Sequence, residues 1–325
     1  MKRVGILLPG AGLLGATHVG MLRALCQRGI HKKLAVLRAN SSGALTGTTL
    51  SEAQTPDEFP ELVEKAAAGW RLIEARGPDA IFGISSIKSA FGKVSVPGFI
   101  EHPIRNISKL LWKKSGELRK LKVLLAKDGL LETERLSQII TEYQPKLTLD
   151  SYFRFEVAVL NLTTQEFEIL SANDFKNDPE SFKKVPVASA SLQPFFPSVE
   201  IKGSRYCDAR NTGEMSPELK ECDTIFVLVA HPAIYPLGSP KELRERYGLP
   251  PIIGNLIFEN NFWVHKLEEA SIHDLQHALV GRGAVHVIYA QNPPTASPIG
   301  FEKGDIPKEI KLGEAAVNAA LDATI

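Results

Sequence analysis

The stretch VGILLPGAGLLGATHVG, residues 4–20, decides the fold. Val4 to Leu8 is a short apolar run that stops at Pro9-Gly10, and the apolar spacing of Val19, Leu22 and Leu25 beyond it fits a helix lying on a sheet. A buried strand, a glycine-rich turn and a helix therefore follow one another. Glycine lets backbone N–H groups approach an oxygen closely, and the start of the helix adds a partial positive charge. The turn is suited to an anion or to a developing oxyanion.

Two chemistries and one plain structural role fit this turn. Gly10, Gly12 and Gly15 satisfy G-x-G-x-x-G between a strand and a helix, the context that a dinucleotide fingerprint requires. That reading looks for an acid at the end of the next strand, where the chain has Arg38, Ala39 and Asn40. Arg38 suits a 2′-phosphate, and the first forty residues resemble the NADP-binding start of atypical short-chain reductases. The Tyr-x-x-x-Lys of those enzymes is missing, because Tyr143 and Lys146 are one residue too close. The second chemistry is an oxyanion hole, and the plain role is a tight turn that brings helix and strand together.

Outward from the turn, LAVLRAN (34–40) reads as a second buried strand running into SSGALTGTTL (41–50), which has helical spacing and small residues. Ser41 sits at the strand-to-helix junction. A nucleophile elbow needs small residues two positions either side of its serine, because strand and helix nearly touch there. Ala39 and Gly43 meet that need, with alanine where Gly-x-Ser-x-Gly has its first glycine. The commoner role of a serine at such a junction is a helix N-cap, and this pattern alone fits both.

Farther along, PDEFPELVEKAAAGWRLI (56–73) has helical spacing, and a stretch punctuated by Gly, Ser and Pro follows from Gly77 to Gly98. Residues of about 55–130 are expected to form an insertion or cap on one α/β domain spanning 1–325. DGLLETERLSQIITEY (128–143) predicts a helix capped by Thr133. FRFEVAVLNLTTQEFEIL (153–170) predicts two paired strands about a TTQE turn, and DTIFVLVAH (223–231) and GAVHVIYAQ (283–291) predict two more strands. Continuously apolar strands interleaved with helices imply a three-layer α/β sandwich with a mostly parallel central sheet.

Composition narrows the function classes. The chain has 325 residues, with 38 Lys and Arg against 37 Asp and Glu, so its overall field gives no reason to expect nucleic acid as a partner. Cys26, Cys207 and Cys222 are too few and scattered for a disulfide framework or a zinc cluster. The first apolar run is too short for a signal h-region, and none reaches the roughly 18 residues of a membrane span. The expectation is a cytoplasmic protein that can also lie peripherally on a membrane. Residues 105–127 carry eight Lys or Arg and one acid among leucines and Trp112, which suits either an anionic bilayer or a solvated cap helix. His273 and His277 have i, i+4 spacing with no evident third ligand, which fits a solvent-facing helix, and no metal is expected. His18, His231 and His286 read as core histidines, and Cys207 as a buried apolar group.

A carboxylate enters with VASASLQPFFPSVEIKGSRYCDAR (187–210), where Asp208 ends a predicted strand. At this point the chain resembles the patatin-like phospholipases. Their glycine loop and following His-x-Gly match residues 10–20, their serine elbow matches ANSSG (39–43), and the segment before their catalytic Asp matches ASASLQPFFPSV (188–199) without a gap. Their Asp-Gly-Gly or Asp-Gly-Ala strand end matches Asp208-Ala209-Arg210, and the likeness extends to TTQE (163–166) and FEKGDIPKEIKLGEAA (301–316).

The resemblance implies hydrolysis of phospholipid or other fatty-acyl esters by a dyad without histidine or cofactor. Ser41 would be the nucleophile, Asp208 the base, and the amides around Gly10, Ala11 and Gly12 the oxyanion hole. Three positions depart from the family pattern: Ala11 and Ala209 replace glycines, and Leu14 stands where Arg or Lys is usual. The last change removes a charge that anchors the loop or greets a phosphate, and implies less preference for anionic headgroups. The alternatives are an NADP-dependent reductase and a weakly active lipid-binding scaffold.

Overall fold

The computed structural model describes residues 3–77, 134–143, 149–193, 195–210, 216–232, 266–267, 269–290 and 302–323. The first predicted unit forms as β1 (Val4–Leu8), a 3-10 turn at Gly12–Gly15 and α1 (Ala16–Gln27). The second forms as β2 (Leu34–Ala39) and α2 (Ser42–Leu50), followed by α3 (Phe59–Arg76) and α4 (Glu134–Tyr143). The TTQE hairpin pairs β3 (Arg154–Asn161) with β4 (Glu166–Ser171) in antiparallel register, Asn161 opposite Glu166. After α5 (Lys184–Ser189) come the hairpin β5 (Val199–Ile201) and β6 (Ser204–Asp208), then β7 (Thr224–Val229), α6 (269–278), β8 (Ala284–Tyr289) and α7 (Asp305–Asp322).

The sheet runs β5-β6-β3-β2-β1-β7-β8, with β4 paired to β3 off that path. Strands β3, β2, β1, β7 and β8 are mutually parallel, and β4, β5 and β6 are joined antiparallel at one end. Alternate residues of the central strands feed two apolar layers, as strand geometry demands. Ile6, Leu8, Leu37, Phe226 and Leu228 pack with α1, α3 and α7, whereas Leu7, Val36, Ile225, Val227 and Val229 pack with Leu219, with Ile272 and Leu275 of α6, and with Leu279 just after it. The result is the expected α/β three-layer sandwich with a mostly parallel sheet.

Helix α3 falls inside the span expected as an insertion, yet it packs Phe59, Val63, Ala67 and Trp70 into the larger core layer. Residues 78–133, with the basic segment 105–127 and the Thr133 cap, lie outside the described residues. Among the described residues, no helix is long and apolar enough to cross a membrane.

One strand arrangement positions the site. Strand β3 is bonded along one edge to β4, and on the other edge to β2 through residues 154–157 and then to β6 through residues 159–161. Ala39 stands opposite Val157 and Asp208 opposite Val159. Because β6 runs antiparallel, its last residue points back at the carboxyl end of β2. Two residues of strand, about 6.6 Å, separate the two register positions.

Candidate active site

Ser41 joins β2 to α2 with φ 52° and ψ −126°. A non-glycine residue held there costs of order 1–3 kcal/mol and persists only where its surroundings over-determine it. They do so here. The Asn40 N–H donates to the Leu8 carbonyl at 3.1 Å, the Ser41 N–H donates to Ser189 Oγ at 2.9 Å, and the Ser41 carbonyl accepts from the Ala44 N–H at 2.9 Å. Gly43 touches β1 so closely that a Cβ there would overlap the Leu8 carbonyl oxygen. Ser41 occupies the N-cap position of α2, but its hydroxyl makes no capping hydrogen bond. The side chain is thus left for other work.

Asp208 ends β6 with its N–H donating to the Ser191 carbonyl at 3.1 Å. Its Oδ1 accepts from the Arg210 N–H at 2.7 Å, a contact made possible by φ 62° at Arg210, and the Arg210 guanidinium is itself anchored on the Gln193 carbonyl at 2.9 Å. The residue is 4% exposed, and burial pushes the pKa of its carboxyl up to about 6. The Arg210 N–H, the Ser41 hydroxyl, the Arg210 charge and the Asn40 amide pull it back down in that order. The nucleophile candidate and the carboxylate candidate, 167 positions apart, therefore lie within reach of each other. A carboxylate titrating near 6 is a better base near neutrality than one at its usual value of about 3.9.

The glycine turn closes on Ser41. A Cβ on Gly10 would stand 2.9 Å from Ser41 Cβ and 3.5 Å from its Oγ, so only glycine brings this backbone so close to the hydroxyl. The turn departs from expectation at two residues. The Ala11 N–H, expected among the oxyanion donors, donates to Ser42 Oγ at 3.0 Å and is engaged within the fold. Leu14, expected to bear on a headgroup, is 1% exposed and packs against Ala230 and Ala11, so it anchors the loop from inside.

Other candidates resolve into structure. Arg38, offered as a partner for a 2′-phosphate, is fully buried, and its Nη2 and Nε bond Glu156 Oε2 at 2.7 and 3.0 Å across the β2–β3 register. Arg154 and Ser216 complete the ring around Glu156 at 2.8 and 3.0 Å. His18 is fully buried near the Leu228 carbonyl and His231, at a geometry short of a hydrogen bond, and desolvation drives its pKa down to about 3. His286 stacks on Phe226, and burial pushes the Cys207 thiol up to about 11, which leaves it unreactive. Among the described residues, no three His, Cys, Asp or Glu gather to hold a metal.

Sequence reasoning passed over Ser189, Asn40 and Ser42, which hold the elbow, the carboxylate and the loop. Their only signal was position, since each lies inside a stretch already singled out.

The sequence pattern of the family described as "Patatin-like phospholipase" matches residues 6–209, a span that contains the glycine turn, Ser41 and Asp208. The chain belongs to the patatin-like phospholipase family. A patatin-like phospholipase domain-containing protein of Caenorhabditis elegans is 42% identical over 67 residues, which are 21% of this chain and 4% of that protein. Among solved structures, VipD from Legionella pneumophila is similar at 15% identity and a TM-score of 0.43, over 99% of this chain and 67% of VipD. The type III effector ExoU, from Pseudomonas aeruginosa, is similar at 12% identity and a TM-score of 0.36, over 99% of this chain and 53% of ExoU.

Proposed function

We propose that this patatin-like protein is a serine acyl hydrolase that cleaves fatty-acyl ester bonds of phospholipids or related lipids through Ser41 and Asp208. The observation that carries the reading is the strained Ser41, uncapped and in reach of a buried carboxylate whose pKa is raised to about 6. Family membership supplies the lipid ester as substrate class.

Asp208 takes the hydroxyl proton as Ser41 Oγ attacks the ester carbonyl, and the carbonyl electrons move onto oxygen. The Gly10 and Gly12 N–H groups stabilise that oxyanion, at about 3 kcal/mol for a well-placed donor. The Ala11 amide is not among the donors while Ser42 Oγ holds it. Collapse expels the alcohol, which takes the proton from Asp208 and leaves acyl-Ser41. Water then attacks this ester, gives a proton to Asp208, and releases the fatty acid as Ser41 recovers its proton. No step calls on a metal or a histidine.

Labelling with a fluorophosphonate and mapping of the modified residue tests the reading, together with hydrolysis of a neutral lipid ester. Label on Ser41, and loss of both label and turnover in Ser41→Ala, are expected. Turnover that survives in Ser41→Ala or Asp208→Asn would overturn the dyad. Lipid binding by a wild type that neither labels nor turns over would leave a scaffold.

A further inference from the structure

On the face of the sheet opposite α2, helix α6 buries Ile272 and Leu275, with Leu279 buried just beyond its end, and turns His273 and His277 outward. Spacing of i, i+4 puts the two imidazoles on one helix face. Their ring centroids are 4.3 Å apart, the planes meet at 57°, and the two Nε2 atoms share a hydrogen bond of 3.1 Å, one ring donating and the other accepting, so an ion that takes both nitrogens replaces that proton. The His273 side chain is 68% exposed, so an ion reaches it directly from solvent. Asp274 Oδ1 lies 3.7 Å from His273 Nδ1. That is beyond hydrogen-bond distance, and the negative charge there favours a cation at the imidazole pair.

The separation is that of two ligands of one ion. Imidazole nitrogen binds zinc at about 2.0–2.1 Å. At that bond length two nitrogens 3.1 Å apart subtend roughly 100° at a shared ion, between the right angle of a tetragonal site and the tetrahedral angle. We propose that His273 and His277 form a two-imidazole chelating site for a first-row divalent transition ion, Zn2+ or Cu2+, with water at the remaining positions. Nitrogen donors select these ions over Mg2+ and Ca2+, which take oxygen. Among the described residues no third ligand joins, so the ion is exchangeable. Bridging one helical turn requires the helix, and binding therefore stabilises α6 and the layer that Ile272, Leu275 and Leu279 form with β7.

The test titrates the full chain with Zn2+ or Cu2+ alone by calorimetry and follows Tm, comparing wild type with His273→Ala, His277→Ala and the double variant. His273→Gln and His277→Gln serve as a second pair that keeps a polar side chain. The wild type is expected to bind one ion more than the double variant, and each single variant to bind that ion on the order of 10²-fold more weakly, the gain expected from linking two ligands. Zn2+ raises Tm of the wild type more than that of the double variant, and Mg2+ raises neither. Identical isotherms for wild type and double variant, or loss of the ion from only one of the two single variants, would overturn the site.

Discussion

The backbone N–H of Ser41 donates to Ser189 Oγ at 2.9 Å, and that Oγ in turn donates to the Ala158 carbonyl at 2.8 Å. One buried hydroxyl thus ties the strained elbow to β3, the strand that also carries β6 and Asp208. Ser189→Ala leaves a buried N–H and a buried carbonyl without partners, a loss of about 1–3 kcal/mol. The expected outcome is a lower denaturant midpoint together with slower fluorophosphonate labelling of Ser41. An unchanged labelling rate would mean that the elbow keeps its φ without this bond.

Asp208 links activity to stability with opposite signs. Its pKa in the fold, about 6, lies above the unfolded value, so the native state holds the proton more tightly. The contribution of this group is fully present below about pH 4 and is lost as pH rises through 6. That rise is worth on the order of 2–3 kcal/mol. Activity needs the ionised form and is expected to rise through the same window. Asp208→Asn should therefore be inactive at every pH, yet gain Tm relative to wild type as pH is raised from 4 to 8. A Tm difference independent of pH would contradict the buried carboxylate.

Asn40 helps to set where that window falls. Its amide is within reach of Asp208, and the side chain is 1% exposed with Oδ1 buried and bonded to nothing among the described residues. A carboxylate only accepts, so Nδ2 faces it and the oxygen is left unpaired. Asn40→Leu removes a donor that favours the ionised carboxylate and also removes the orphaned oxygen. The acid limb of kcat/KM is expected to move to higher pH, while the denaturant midpoint at about pH 4, where Asp208 is protonated, stays level or rises. A purely structural asparagine would lower the midpoint and leave the limb in place.

Local pattern made much of this legible. The β1–turn–α1 and β2–elbow–α2 units, the TTQE hairpin and β7 were readable because strand and helix periods differ over a few residues. The approach of Asp208 to Ser41 was not readable from periodicity, since it depends on β3 exchanging β2 for β6 along one edge. The family resemblance supplied that pairing. Arg38 was misread for a related reason. Its partner Glu156 lies on β3, and no short-range signal distinguishes a cation meant for phosphate from one meant for a carboxylate on a neighbouring strand. Ala11 shows the same limit at smaller scale, because its occupancy depends on a hydroxyl 31 residues away.

Leu14 was expected to tell which lipid headgroup is taken, and its burial redirects that expectation. The side chain is 1% exposed and fills the space between Ala11 and Ala230, immediately behind the glycine turn. Leu14→Arg would bring a guanidinium into an apolar pocket, at a cost of several kcal/mol unless the turn gives way. The expected outcome is a lower Tm and reduced turnover of anionic and neutral esters alike. Leu14→Met keeps the volume and should cost less than about 1.5 kcal/mol, with activity retained. Thermal melts and parallel assays on the two ester classes check this. A Leu14→Arg variant with unaltered Tm and a gain confined to anionic esters would return residue 14 to the headgroup.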